Sequence, residues 1–149
     1  MTPPEAKTAA LLASPDDTEA QYYEALQHGD LERLMASWSD DDEVICVHPG
    51  GPRVIGQAAV RRTFETLFAN GGMTVRVDGV RRLQSEGTAV HNVLERIDAR
   101  TAEGVRTTWV VATNVYLKTA LGWRMVAHHA SATTPQDAAL PVTVPKTLH

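Results

Sequence analysis

Three things are scarce in this chain of 149 residues, and each scarcity excludes something. There is a single cysteine, Cys46, so no disulfide can form within the chain, and cysteine usage fits a reducing compartment. It sits inside an apolar stretch and reads as a small core residue rather than a nucleophile. A basic surplus is missing too: Lys and Arg total 14 against 18 Asp and Glu, a formal net charge of −4. Nucleic-acid binding needs clustered cations, and the doublets Arg61-Arg62 and Arg81-Arg82 read as solvated faces. No apolar run approaches the roughly 20 residues that span a bilayer. The start, "MTPPEAKTAALLASPDD", lacks the basic end and long apolar stretch of a signal peptide. The expectation is a soluble cytoplasmic protein with no nucleic-acid or membrane partner. There is no G-x-S-x-G, P-loop or dinucleotide fingerprint, no internal repeat and no low-complexity segment.

What is present is ordinary globular composition, 43% apolar and 21% charged, and a chain long enough for one domain with a real core. Residues 1–15, with Pro3, Pro4 and Pro15, read as a flexible arm. Asp16 or Asp17 is placed to cap a helix that runs to Gln27 and stops at Gly29. Asp30 then caps a second helix with Leu31, Leu34, Met35 and Trp38 at i, i+3, i+4 and i+7. The run "SDDDE" breaks this pattern, and a strand follows from Val44 to Val47. Val60, Phe64, Leu67 and Phe68 mark a third helix, ended by Gly71-Gly72. From Met73 the period becomes alternating. It predicts strands over 73–83, 88–100, 106–118 and 123–132, broken by "SEG", "TAEG" and "TALG". Residues 136–149 hold Pro141 and Pro145 and read as an extended or disordered tail. Helices first and long antiparallel strands afterwards predict an α+β roll. Three N-terminal helices pack on a strongly curved, mainly antiparallel sheet, and such a sheet encloses a pocket.

The strings "YYEALQHGDLERLMASWSDDDEVICVHPGG" (22–51), "IGQAAVRRTFETLF" (55–68) and "TNVYLKTALGWRMVAHHASATTP" (113–135) carry a resemblance. The chain resembles the nuclear transport factor 2-like superfamily, in its SnoaL-like and ketosteroid-isomerase-like branch. Its last string is also similar to the end of the association domain of calcium/calmodulin-dependent kinases. The resemblance covers about residues 16–135 and implies a cone-shaped fold with a pocket, dimers through the outer sheet face, and no cofactor. The superfold hosts isomerases, cyclases, dehydratases and non-catalytic assembly domains, so it does not fix activity.

In the isomerases of this family a carboxylate base precedes the proline of the turn; here His48 precedes Pro49. Imidazole has a pKa suited to moving protons near neutrality. The competing reading is a histidine that fixes the turn by bonding to backbone. Tyr22 falls where the isomerases carry a phenol that donates to the developing oxyanion, and its neighbour Tyr23 competes for that place. Asn114 falls at the second oxyanion donor. An amide donates at any pH, so it would keep that role. Alternation puts Val110, Ala112, Asn114 and Tyr116 on one face of their strand and Trp109, Val111, Thr113 and Val115 on the other. Composition alone makes the Trp109 face the core; the resemblance turns Asn114 inward and leaves the Trp109 face for a partner subunit.

His128 and His129 are adjacent on a strand and point to opposite faces, so they do not make a metal site, and no metal centre is expected. The association-domain alternation sends His128 inward with Val126 and Ala130, and His129 outward with Trp123, Met125 and Ser131. Asn92, beside Val90 and Leu94, is expected to reach the cavity, and Trp38 to cap it. The isomerases' aspartates are replaced by His48 and Asn114, which argues against steroid isomerisation. The arginines of the association-domain pocket are replaced by Leu94, Asn114 and Ala130.

Two functions follow. One is a cofactor-independent isomerase, cyclase or dehydratase acting on a small apolar or carbonyl-bearing molecule. His48 would move the proton, and Tyr22 and Asn114 would hold the intermediate. Its ligand-lining residues would be Trp38, Asn92, Leu94, Ala112, Tyr116 and His128. The other is a non-catalytic ligand-binding or assembly domain whose work is homodimerisation.

Overall fold

A computed structural model describes residues 12–69 and 73–139. The chain runs α1 (Pro15–His28), α2 (Leu31–Ala36), β1 (Ile45–Val47), β2 (Arg53–Ile55), α3 (Gln57–Ala69), β3 (Thr74–Gln84), β4 (Thr88–Thr101), β5 (Gly104–Thr119), β6 (Gly122–Thr133) and α4 (Pro135–Ala139). The strands form one six-stranded, curled sheet in the order β2-β1-β6-β5-β4-β3, antiparallel except where β1 lies parallel to β6. Helices α1–α3 cover its inner face. This is the α+β cone expected from the sequence.

The local causes are visible at several ends. The cap of α1 is Ser14, whose hydroxyl accepts from the Asp17 N–H; Pro15 occupies the first turn, where its missing N–H costs nothing. The cap is thus neither Asp16 nor Asp17. The arm is also shorter than residues 1–15 on the described side: Leu12 is buried, and its carbonyl accepts from the Trp123 N–H at 2.9 Å. Residues 1–11 lie outside the described part. Gly29 ends α1 in the left-handed conformation (φ 64°), and Asp30 caps α2 as read from sequence. The glycine pair assigned to the end of α3 falls outside the described residues. Past β6, residues 135–139 form a short helix rather than an extended tail, and residues 140–149 lie outside the described part.

Two irregularities bend the sheet. The β3–β4 register shifts between Asp78 and Arg81, where Gly79 takes φ 56°. The β5–β6 register shifts opposite Val115 and Tyr116, which leaves Val126 as the extra residue. Because of this bulge, Trp123 and Met125 join His128 and Ala130 on the buried side, contrary to strict alternation. His129 remains exposed, as expected. Among the described residues no helix is long and apolar enough to cross a membrane.

Candidate functional site

The inner face of the sheet carries polar side chains at regular intervals. On β5, Val110, Ala112, Asn114 and Tyr116 point inward and are buried. Their partners on β4 are Glu95, Val93, His91 and Ala89. Asn92 and Leu94 therefore lie on the opposite, outer face, and the Asn92 amide donates to Thr113 Oγ1 there. The expectation that those two reach the cavity is corrected: in a strand, an offset of one residue exchanges the faces. The inward residues of β4 that matter are His91 and Glu95.

Four of the inward groups form one hydrogen-bonded chain. The Tyr23 hydroxyl donates to Glu95 Oε2 at 2.6 Å and accepts from Asn114 Nδ2 at 3.0 Å. The other end of the Asn114 amide meets His128 Nδ1 at 2.5 Å. With the amide nitrogen committed to Tyr23, Asn114 offers its carbonyl to His128, so His128 carries its proton on Nδ1 and is bare at Nε2. Burial, first of all, pushes His128 down to about 3, with His48 and His129 adding to it. Burial raises the Glu95 carboxyl, and the Tyr23 hydrogen bond partly offsets this. A second buried group lies nearer the start of α1. There Tyr116 donates to Glu19 Oε2 and His91 Nδ1 meets the same oxygen, both at 2.8 Å.

Beside the first chain lies a group without such pairing. The Tyr22 ring centroid is 5.5 Å from His128, 6.1 Å from Phe64 and 6.5 Å from Trp38. The His48 ring is 5.2 Å from Phe64 and 5.7 Å from His128. Among the described residues Trp38 Nε1 is buried with no partner, and no hydrogen bond joins the Tyr22 hydroxyl to another described residue. The His48 ring has one weak polar neighbour, the Cys46 thiol at 3.8 Å. That thiol is itself pushed up to about 12 by burial, so Cys46 is a core residue. The turn after β1 closes through backbone, Gly51 N–H to the His48 carbonyl at 2.9 Å, with Gly50 at φ 71°. It does not use the imidazole. Burial lowers His48 and raises Tyr22 well above the usual phenol value. At neutral pH both are uncharged: one a free base, the other a hydrogen-bond donor.

Two grooves, of about 520 and 310 Å³, run between α1 and β3 and share Ala20, Tyr23 and Val77. Neither is lined by Tyr22, His48 or His128; the Tyr22 and His48 rings pack against Phe64, and Tyr22 also against Trp38.

The SnoaL-like domain profile matches residues 16–135, the span that contains all of these groups. The chain belongs to the SnoaL-like family. Among solved structures, this SnoaL-like domain is similar to a proposed calcium/calmodulin-dependent protein kinase type II association domain from Thiobacillus denitrificans. The two are 33% identical over 83% of this chain and 98% of that one, with a TM-score of 0.75. It is also similar to a proposed dehydratase of the NTF2-like family from Streptomyces avermitilis, at 31% identity over 78% and 91% of the two chains, TM-score 0.72. A ketosteroid isomerase-like protein from Erwinia carotovora atroseptica shares the fold at 17% identity, over 87% and 98% of the chains, TM-score 0.65. A search of curated proteins finds no match.

Glu95, Glu19 and His91 are interior polar residues that the sequence does not single out, and Tyr23, expected only as a rival of Tyr22, takes the place beside Asn114. Their partners stand 72 to 97 positions away along the chain, so no local spacing signals them.

Proposed function

We propose that this SnoaL-like domain binds a small carbonyl compound among Tyr22, Trp38, His48 and His128. On it the domain performs a cofactor-independent proton transfer of the isomerase or dehydratase kind. The carrying observation is the buried Trp38 indole N–H, without a partner among the described residues, in one aromatic group with Tyr22, whose ring lies 5.5 Å from His128, while the His48 ring lies 5.7 Å from it. Buried polar atoms are nearly always satisfied, so an unpaired donor beside a phenol and two imidazoles supports a ligand oxygen there.

The roles follow from the donors and acceptors. Tyr22 O–H and Trp38 Nε1–H point to a ligand oxygen that accepts. Neutral His48 takes a proton from the carbon next to the carbonyl, the charge moves onto that oxygen, and the imidazolium returns the proton to a different position. Asn114 has both ends of its amide engaged, so it acts as a positioning residue that fixes the His128 tautomer rather than as an oxyanion donor. Binding displaces rings that otherwise fill the space, which couples ligand entry to rotation of Trp38 or Phe64.

The test is exchange of α-protons for deuterium in a panel of cyclic and unsaturated ketones, followed by proton NMR. One class should exchange faster with protein, and His48→Ala should slow it by about 100-fold or more. Equal rates with the wild type and His48→Ala, or no exchange in any compound, would remove the catalytic reading.

A second reading, assembly, rests on the outer face. Leu83, Val90, Val115, Ala127, Ile45 and Ile55 stand in register and form an apolar row across all six strands. Its ends are open, with Leu83 75% and Ile55 44% exposed. A second copy of the chain laid across this row would cover it, and the likeness to an association domain supports that occupant. Sedimentation equilibrium tests it: a dimer that Val115→Lys converts to monomer supports the reading, and a monomeric wild type at 100-fold varied concentration contradicts it.

A further inference from the structure

We infer that His91 Nε2 and Asp16, with Glu19 holding the imidazole from behind, form a site for a divalent transition-metal ion, with zinc the best match to the donors. The ligand atoms of these three lie within 4.8 Å of one another. Proximity of acids is common and carries little. The decisive feature is His91, which is fully buried and whose Nε2 has no hydrogen-bond partner among the described residues.

The imidazole is fixed from behind. Its Nδ1 meets Glu19 Oε2 at 2.8 Å, and that oxygen also accepts from the Tyr116 hydroxyl at 2.8 Å. A carboxylate holding one ring nitrogen is the arrangement that aims the other at a metal. Its other nitrogen, Nε2, then faces Asp16 Oδ1 at 4.0 Å, too far for a hydrogen bond. Metal–nitrogen and metal–oxygen bonds of about 2.0–2.2 Å each would bridge that gap once Asp16 moves inward by a few tenths of an ångström. Asp16 is exposed and on the first turn of α1, so it can move.

The groove of about 310 Å³ lined by Asp16, Glu19 and Arg82 reaches the same place and leaves room for water to complete the coordination. Arg82 Nε now donates to Asp16 Oδ1 at 2.8 Å. It is the competitor that the ion must share Asp16 with, and it should keep affinity modest. One imidazole with carboxylates suits zinc better than calcium or magnesium, which take oxygen alone.

The test is calorimetric titration of the full chain, stripped with chelator, with Zn²⁺ alone, repeated with Co²⁺ by visible absorption. One saturable equivalent is expected in the wild type. Asp16→Asn should weaken it at least about tenfold, Arg82→Gln should tighten it, and His91→Gln should abolish it. Because His91 is buried and its variant could fail to fold, exposed Asp16→Asn decides the matter in that case. Absence of a saturable site, or the same affinity in Asp16→Asn as in the wild type, would overturn the inference. So would a proton found by ¹⁵N NMR on His91 Nε2 that Zn²⁺ does not displace.

Discussion

Asn114 and Tyr22 both sit inside the same curved sheet, packed against the same His128, and differ in what their polar atoms do. Asn114 spends its amide on Tyr23 and His128, and so ties β5 to α1 and β6. Tyr22 spends its ring on packing, with no hydrogen bond to another described residue, beside a Trp38 indole N–H that is buried without a partner among the described residues. The paired chain is what a fold needs in order to bury polar groups at tolerable cost. The unpaired Trp38 N–H costs stability and returns none, so it points away from folding and toward a ligand.

The comparison can be broken by pH, and this should be the largest effect. The folded state holds His128 neutral to about pH 3, against 6.5 for an unconstrained histidine. Between those values the unfolded chain binds a proton that the folded one refuses. Stability should therefore fall as pH drops from 6.5 toward 3, by on the order of 4 kcal/mol in all. Urea unfolding across that range, compared with His128→Gln, should show the slope in the wild type and its loss in the variant.

Next comes Asn114→Leu, which leaves the Tyr23 hydroxyl with one partner and His128 Nδ1–H with none. It should cost about 2–4 kcal/mol by urea unfolding at pH 7. Glu95→Gln should act in the opposite direction and more weakly. The buried carboxyl is raised above 4.5, so ionising it destabilises the fold as pH rises through the folded value. Glutamine still accepts from Tyr23, so the variant should lose that decline and gain stability above the window. Tyr22→Phe should be the smallest on stability, within about 0.5 kcal/mol, because the hydroxyl has no partner to lose among the described residues. It should nonetheless abolish ligand-dependent behaviour. A paired chain that tolerates Asn114→Leu, or an unpaired Tyr22 that does not tolerate Phe, would erase the distinction.

The architecture was legible because it is written in periods. Leu31, Leu34 and Met35 repeat at helical spacing on the helix that packs inward, which ends at Ala36, so Trp38 lies beyond it in a bridge to Met125; the alternation after Met73 yields the long strands. The inward turn of Asn114 came from resemblance, where composition favoured the Trp109 face. What failed failed by one residue. Asn92 and Leu94 were displaced by parity from His91 and Glu95, and the bulge at Val126 turned Trp123 and Met125 inward while His128 kept its place. A bulge has no reliable local signature, and it moves every side chain beyond it to the other face. The short β2 and the helix at 135–139 were missed because each is too brief to show a period. The pairings that define the interior join α1 to strands far along the chain, and only the fold brings them together.

The most direct measurement is the indole N–H resonance of Trp38 in ¹⁵N-labelled protein, assigned by Trp38→Phe and followed during titration with a ketone panel. A ligand that completes the unpaired cluster must accept from this group. The account predicts a saturable shift of the Trp38 signal, with those of Trp109 and Trp123 unmoved, and its disappearance in Tyr22→Phe or His48→Ala. A Trp38 resonance indifferent to every compound, or one that shifts equally in those variants, would contradict the site.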